Sequence, residues 1–248
     1  MASMPVPSSS FRPLLACLAW VASGLLASCG SEKSTGGGSG TPLDTNTYGV
    51  PWSPSVSYGA FVDPRDHQSY RTVAVGSQTW MAENLDYAVD SSWCYSGAAD
   101  SCSKYGRLYQ WASALALADS CDAKACSSQV ATRRQGVCPS GWHIPTAAEW
   151  GVLLKLVDSS NSGTRLESRS GWSGSNDGTD AYGFRALPGG YRTSYGSYGY
   201  RGWGAYFWTA SENIGLMAWS RYFYSDEASV QAFAYVKNQG FSVRCLKN

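Results

Sequence analysis

Six cysteines between residue 94 and residue 245 are the residues with the most obvious chemistry. They are Cys94, Cys102, Cys121, Cys126, Cys138 and Cys245. An even number of cysteines in an exported chain indicates disulfides, although six cysteines allow fifteen pairings. Short separation favours Cys94–Cys102 and Cys121–Cys126, which leaves Cys138 for Cys245. This last crosslink would contribute roughly 4–5 kcal/mol, because it closes the longest loop.

A structural zinc site is the alternative use of these cysteines. Such sites favour close C-x2-C pairs or histidine as additional ligands. The chain has neither that spacing nor more than two histidines, His67 and His143. We therefore predict disulfides and no bound metal.

A separate cysteine, Cys29, predicts a covalent lipid. It ends the run Leu26-Ala27-Ser28-Cys29, which closes an apolar stretch from Pro13 to Leu26. This is the pattern of a bacterial lipoprotein signal, in which the cysteine becomes the first mature residue and carries the lipid. Gly30, rather than aspartate, follows the cysteine, and this predicts the outer membrane. An ordinary secretory peptide is the alternative, and the stretch is short for a membrane span of about 20 residues.

The composition divides the chain into three parts. Residues 1–28 are predicted to be the signal peptide, and residues 29–57 a lipidated, flexible linker rich in glycine and serine. Residues 58–248 form a stretch with aromatic residues and cysteines throughout, long enough for one domain with its own core.

Charge says more about which partners to exclude than about which to expect. The chain has 19 basic and 18 acidic residues, and no basic stripe that would indicate nucleic acid. Only 15% of the residues are charged, whereas 11 tryptophans and 16 tyrosines are present. Such a surface favours contact with a polysaccharide or an envelope protein. The sequence does not fix the oligomeric state.

No known catalytic pattern stands out. The chain lacks G-x-S-x-G and H-E-x-x-H. His143 and Glu149 lie around a predicted helix start, where structural roles are expected. Carboxylate pairs for sugar hydrolysis come from distant positions and stay open. Residues 175–180 could ligate Ca²⁺ but read more simply as a turn. We predict no enzyme activity, no catalytic residue and no cofactor.

An aromatic stretch between residues 191 and 208 is the best candidate for binding. Tyrosine and tryptophan offer large, rigid contact area with a polar tip. We predict ligand contact by the residues that read as part of an exposed loop, namely Tyr191, Tyr195, Tyr198, Tyr200 and Trp203. Tyr206 and Trp208 are expected to face the core of a strand instead.

Hydrophobic periodicity predicts the elements that position these residues. A hairpin is expected from Tyr70–Val75 and Gln78–Met81, and a helix over residues 106–118. Thr146 and Glu149 form a capping box that opens a second helix. Further strands are predicted at 206–209, 218–223, 231–236 and 241–246. Helices followed by antiparallel strands indicate an α+β fold.

Several motifs recur in the order seen in a known family. They are the segments Tyr70–Leu85, Gly106–Tyr109, Cys138–Trp150, Gly183–Gly190, Phe207–Ser211 and Val243–Cys245. With these motifs, residues from about Phe61 to the C-terminus resemble the Fibrobacter succinogenes major paralogous domain. The resemblance implies an exported protein, often a lipoprotein, whose molecular role is largely undefined.

A more distant resemblance concerns the segment Ile144–Trp150. It is similar to a helix opening in formylglycine-generating enzymes, and this implies a C-type lectin-like fold with two helices, antiparallel strands and long irregular loops. The copper-binding thiol pair of those enzymes lies near the C-terminus, where this chain has only Cys245. We therefore predict a non-catalytic surface lipoprotein for binding or adhesion. A structural or protein-interaction lipoprotein is the alternative, followed by an enzyme.

Overall fold

The computed structural model describes residues 49–130, 133–174 and 176–248. In chain order, the strands of this part are β1 (Gly59–Val62), β2 (Ser69–Val75), β3 (Gln78–Met81), β4 (Ser92–Trp93), β5 (Leu108–Tyr109), β6 (Trp142–His143), β7 (Gly189–Arg192), β8 (Tyr198–Arg201), β9 (Gly204–Ile214), β10 (Met217–Tyr224), β11 (Gln231–Val236) and β12 (Leu246–Lys247). The helices are α1 (Ala99–Tyr105), α2 (Trp111–Ala114), α3 (Ala147–Leu156) and α4 (Ser162–Leu166). Short 3₁₀ turns lie at Tyr95–Gly97, Asp119–Asp122, Ser127–Gln129 and Ser159–Asn161.

Two five-stranded sheets and a two-stranded ribbon organise these elements. The first sheet has the order β1-β2-β3-β12-β6, the second β11-β10-β9-β7-β8, and the ribbon pairs β4 with β5. Most neighbours are antiparallel, but β7 runs parallel to β9 through Gly190 and Ala205. The α+β class is thus confirmed, with antiparallel and mixed sheets. None of the helices in the described ranges is long and apolar enough to cross a membrane.

The predicted hairpin is confirmed, because β2 and β3 pair in antiparallel register from Thr72 opposite Met81 to Val75 opposite Gln78. Gly76 turns the chain with a φ of 61°, which glycine adopts without a Cβ penalty. The strands predicted at 206–209, 218–223 and 231–236 lie within β9, β10 and β11.

The prediction of a helix over residues 106–118 is wrong. Gly106, with a φ of 73°, ends α1, and Leu108 then pairs with Trp93 in the ribbon. Only α2 remains helical within the predicted range. Leu108, Trp111 and Leu115 are buried as the spacing required, so the pattern marked core residues while strand pairing determined the backbone. Among the described residues, α1 and α3 are the two longer helices, and α2 and α4 have one turn or slightly more.

The helix predicted from the capping box is confirmed as α3. The Thr146 side chain accepts a hydrogen bond from the Glu149 N–H at 3.2 Å, and the Glu149 carboxylate accepts one from the Thr146 N–H at 2.8 Å. Trp150 and Leu153 form the buried side of this helix. They pack into a cluster with Trp80 and Phe207, and so α3 contributes to the core beside both sheets.

The predicted final strand at 241–246 is only partly regular. Phe241 and Tyr109 exchange two backbone hydrogen bonds, and Ser242 donates to Tyr206 and accepts from Trp208. The segment then turns to the first sheet, where the Cys245 carbonyl accepts from the Met81 N–H at 3.0 Å. It forms no ladder with a single strand, because its backbone groups connect three different partners.

Three disulfides join Cys94 to Cys102, Cys121 to Cys126 and Cys138 to Cys245. These are the pairings favoured by separation along the chain. The third one spans 107 residues and ties the segment before α3 to the end of the chain.

The last residues of the predicted linker pack against the domain. Val50 and Ser53 are buried, and Trp52 and Val56 pack against the cluster around Trp80. The predicted signal peptide, Cys29 and the first part of the linker lie outside the described residues.

Candidate functional site

Six tyrosines form a continuous surface on the second sheet, which we call the tyrosine face. They are Tyr191 on β7, Tyr200 on β8, Tyr206 on β9, Tyr222 and Tyr224 on β10, and Tyr235 on β11. Tyr206 and Tyr222 are direct cross-strand partners. Because side chains alternate along a strand, Tyr222 and Tyr224 share one side of β10, and Phe223 between them packs into the core.

The rings contact each other from one edge of the sheet to the other. Tyr191 stacks on Tyr200 with ring centroids 5.7 Å apart, and Tyr206 stacks on Tyr222 at 5.9 Å. Tyr200 contacts Tyr224 at 5.9 Å, and Tyr206 contacts Tyr235 at 6.1 Å. These separations are within the 4.5–7 Å typical of attractive aromatic pairs. The face is therefore pre-organised by its own ring contacts.

Exposure increases from the centre of the face to its edge. Tyr206 is 5% exposed, whereas Tyr200 is 47% exposed, and the other four tyrosines are half-buried. Phe233 extends the surface on β11, with its ring 5.0 Å from that of Tyr235 and 54% exposed. The result is a shallow aromatic surface with a fixed floor and accessible rings at its edge.

The face is electrically neutral over the physiological range. Burial raises the pKa of Tyr235 to about 12, and neighbouring tyrosines add to this effect. Burial also raises the pKa of Tyr206 well above its ordinary value. The hydroxyl groups stay protonated, so they can both donate and accept hydrogen bonds.

The structure brings together only some of the residues predicted to bind ligand. Tyr191 and Tyr200 lie on the tyrosine face, but Tyr198 packs on Tyr95 with ring centroids 5.0 Å apart. Tyr195 is 97% exposed in the turn between β7 and β8, and Trp203 is half-exposed in the next turn. Tyr200 has a φ of 62°, which interrupts regular alternation along β8.

The prediction for Tyr206 and Trp208 is confirmed, since both are buried. Sequence reasoning missed Tyr222, Tyr224 and Tyr235, which lie on strands that were recognised as such. The spacing of two residues between Tyr222 and Tyr224 indicates that both lie on the same side of β10. The sequence does not provide the strand order that puts β10 and β11 beside Tyr206.

His143 and Glu149 have the structural roles expected of them. His143 Nε2 lies 3.0 Å from Glu149 Oε1, and His143 Nδ1 lies 2.6 Å from Asn248 Oδ1. Burial raises the pKa of Glu149, but hydrogen bonds from His143 and Thr146 outweigh burial and hold the pKa below its ordinary value. The carboxylate is thus engaged in helix capping and in fixing the histidine ring.

The described ranges contain no group of metal-ligating side chains and no free thiol. There, no three histidine, cysteine, aspartate or glutamate side chains come together as metal ligands. All six cysteines of this part are in disulfides. The thiol pair that an enzyme of the formylglycine-generating type would need is therefore not provided by these residues.

The fold and the site define an α+β, disulfide-bonded domain with an aromatic sheet surface. The model of the Fibrobacter succinogenes major domain matches residues 73–247, and the chain belongs to that family. No curated protein and no solved structure matches the chain.

Proposed function

We propose that this protein is a non-catalytic surface lipoprotein that binds a glycan chain through the tyrosine face. The observation that carries the proposal is the set of six tyrosines in mutual contact across five adjacent strands. Aromatic rings provide flat apolar area for sugar rings, and their hydroxyls provide hydrogen bonds for the sugar hydroxyls.

The dimensions of the face favour a polymer over a small molecule. Five strands at a spacing of about 4.8 Å span roughly 19 Å from the first to the last. The surface is shallow, and several rings along it are accessible together. A chain of sugars can contact such a surface at several rings, whereas a single sugar would use only a small part of it.

Retention of the purified, oxidised protein on insoluble neutral polysaccharides tests this proposal. We expect the double variant Tyr200→Ala/Tyr224→Ala to lose about tenfold or more in affinity, because one exposed ring and one half-buried ring are removed from the edge of the face. Tyr195→Ala is the matched control, since this tyrosine is exposed in the turn between β7 and β8 but has no ring contact with the face in the described structure. If Tyr195→Ala abolishes retention and the double variant does not, the turn rather than the face is the site.

A lipid at Cys29 and display on the outer membrane are part of the proposal. The sequence Leu26-Ala27-Ser28-Cys29 supports them. Mass spectrometry of the N-terminal peptide from the native host is expected to find an acylated Cys29. Cys29→Ser should release the protein from the membrane fraction, and an unacylated mature N-terminus would contradict the anchor.

A protein-interaction role in the envelope is the second candidate. The outer strand β11 of the second sheet exposes Phe233 and Val236, and an outer strand can pair with another chain. Crosslinking in cells from position 233 would capture a defined protein if this function holds. Glycan retention that depends on Tyr200 would favour the first candidate instead.

We also propose that the fold is of the C-type lectin-like kind. The helix that opens at Thr146, the two small sheets and the long loops between α4 and β7 support this relationship. A crystal structure compared with formylglycine-generating enzymes tests it. Superposition of α3 and both sheets in the same order would agree with the proposal, and a different strand order would contradict it.

A further inference from the structure

A cavity of about 300 Å³ lies apart from the tyrosine face, and we call it the arginine cavity. Its charged lining residues are Arg71, Glu83, Asp86, Lys104, Arg185 and Arg244. This volume is at the lower end of the 300–1,000 Å³ of small-molecule sites. Four cationic side chains against two carboxylates give the lining an excess of positive charge.

Arg244 supplies a fixed positive charge beside the cavity. It is 1% exposed, and its guanidinium donates to Asn84 Oδ1 at 3.0 and 2.6 Å and to the carbonyls of Met81 and Phe184. These acceptors are neutral, and no carboxylate in the described ranges lies within salt-bridge distance. Burial of such a charge is costly unless an anion compensates it.

Arg185 has an unused donor as well as a buried charge. Its Nη2 donates to the Val50 carbonyl at 3.0 Å, and its guanidinium lies 4.1 Å from the Trp52 ring centroid. The residue is 5% exposed, and Nε has no hydrogen-bond partner among the residues described. A buried donor without a partner is unfavourable, and a ligand that accepts from it would remove that cost.

The backbone holds Arg185 in an unusual conformation. Its φ is 53°, in the left-handed region that non-glycine residues rarely occupy. The Arg185 N–H donates to Asp180 Oδ1 at 2.7 Å, which fixes this conformation. Strain of this kind persists where the surrounding structure enforces it, and it is common at ligand sites.

Glu83 compensates part of the positive charge. Its carboxylate accepts the Arg71 N–H at 2.7 Å. Burial raises the pKa of Glu83, and the charges of Arg185, Arg244 and Arg71 act in the opposite direction. Asp180, outside the lining, also acts on Arg185 and Arg244, so two carboxylates face three guanidinium groups. Asp86 is influenced mainly by burial and by Arg107.

We propose that the arginine cavity binds a small ligand through a single carboxylate group. Guanidinium and ammonium groups form strong, charge-assisted hydrogen bonds with carboxylates. Arg185 and, at the half-buried rim, Lys104 provide the donors, and Gln68, Ser69 and Ser103 provide polar contacts for hydroxyl groups. Glu83 and Asp86 inside the same cavity disfavour a doubly charged phosphate.

The ligand can be an acidic sugar or the C-terminus of a peptide, because both present the same carboxylate. Calorimetry on the full mature chain distinguishes them with galacturonate, its methyl ester, acetylglycine, acetylglycinamide and inorganic phosphate. We expect galacturonate or acetylglycine to bind, and the matched neutral compound, the ester or acetylglycinamide, to bind about tenfold or more weakly. Equal binding of the neutral compound, tighter binding of phosphate, or no binding by any compound would overturn the proposal.

Variants locate the site on the protein. Lys104→Gln at the rim is expected to weaken carboxylate binding about threefold to tenfold, with Lys155→Gln on the exposed side of α3 as the matched control. Arg185→Gln should abolish it, provided that circular dichroism shows a folded protein. If Arg185→Gln does not fold, Glu83→Gln takes its place, and it should tighten binding because a repulsive charge is removed. Unchanged binding in Lys104→Gln and in the second variant would contradict the assignment.

The two proposals fail independently. The arginine cavity and the tyrosine face share no residue, and the probes are small anions in one case and neutral polymers in the other. Loss of carboxylate binding in Lys104→Gln with normal retention on polysaccharide would support the cavity alone. Normal carboxylate binding in Tyr200→Ala/Tyr224→Ala would show that the cavity does not depend on the face.

Discussion

The tyrosine face consists of neutral side chains on five neighbouring strands, whereas the arginine cavity consists of charged side chains from separate segments. In the face, regular strand pairing sets each ring beside the next. In the cavity, Arg244 reaches Asn84 across 160 residues of chain, and Arg185 reaches Val50 across 135. The tyrosine face therefore depends only on the second sheet, whereas the arginine cavity forms only when the whole domain is folded.

This difference has a consequence for stability. The guanidinium groups of Arg185 and Arg244 donate to buried backbone carbonyls, so removal of either side chain leaves buried acceptors without donors. Outer rings of the face have one side in water, and their removal leaves the strands intact. Mutation of these two arginines should therefore alter stability and binding together, and mutations at the edge of the face should alter mainly binding.

The largest effect is expected from the disulfide next to Arg244. Cys138→Ala/Cys245→Ala should lower the free energy of unfolding by about 4–5 kcal/mol, because the bond closes 107 residues of chain. Cys121→Ala/Cys126→Ala is the matched control, with a separation of 5 residues and an expected loss of about 2 kcal/mol. Urea denaturation measures both. Equal losses would show that loop length does not determine the contribution.

A second, smaller loss is expected when the buried charge itself is removed. Arg244→Met should lower the free energy of unfolding by about 3 kcal/mol, since Asn84 and two carbonyls lose their donors. Arg169→Met, at an exposed arginine, should change it by less than about 0.5 kcal/mol. An unchanged free energy of unfolding in Arg244→Met would mean that apolar packing of methionine compensates for the lost hydrogen bonds. The fold around the cavity would then not depend on Arg244.

The pH dependence should also come from the buried polar region. Burial raises the pKa of Glu167 from its ordinary 4.5 to about 8, and Asp177 adds to the shift. The folded state therefore holds a proton that the unfolded state releases, and stability falls as pH rises. The expected loss between pH 5 and pH 7 is about 2 kcal/mol from this residue alone.

Thermal unfolding at several pH values measures this loss. Burial raises the pKa of Asp180 to about 7 as well, which adds a loss in the same direction. The lowered pKa values of Asp63 and Glu149 act only at lower pH, below the range considered. Glu167→Gln should reduce the slope, and an unchanged slope would assign the pH dependence to other groups.

The smallest effect is expected at the edge of the tyrosine face. Tyr200→Ala should lower the free energy of unfolding by about 0.5 kcal/mol, because the ring is half in water. Tyr206→Ala, at the buried centre, is the contrast and should cost about 3 kcal/mol. If both variants lower the free energy of unfolding by the same amount, the exposed edge of the face is as important for stability as its buried centre. The face would then not differ from the arginine cavity in this respect.

Local signals in the sequence were sufficient for local structure. The turn at Gly76 and the capping box at Thr146 involve residues a few positions apart, and both are present as predicted. The pattern over 106–118 identified buried residues, but not the ribbon that replaces helix there. Pairing between distant strands overrode the helical spacing.

The two sites differ in how far they could be predicted. Tyr191 and Tyr200 were identified from composition, whereas Tyr222 and Tyr235 join them through a strand order that a single sequence does not specify. The arginine cavity was missed, although Arg71, Arg185 and Arg244 each lie in one of the recurring motifs. These motifs are far apart in the chain, and only closure of the domain brings the three side chains together.

The docking of Val50 has a mechanical consequence. Its carbonyl accepts from Arg185, and its side chain is buried at the point where the N-terminal residues enter the domain. Tension applied through those residues would load the Val50–Arg185 bond and the Trp52 contact before it reached any strand. The cavity would then open while both sheets remained intact, and the carboxylate ligand that we propose for it would leave before the domain unfolded.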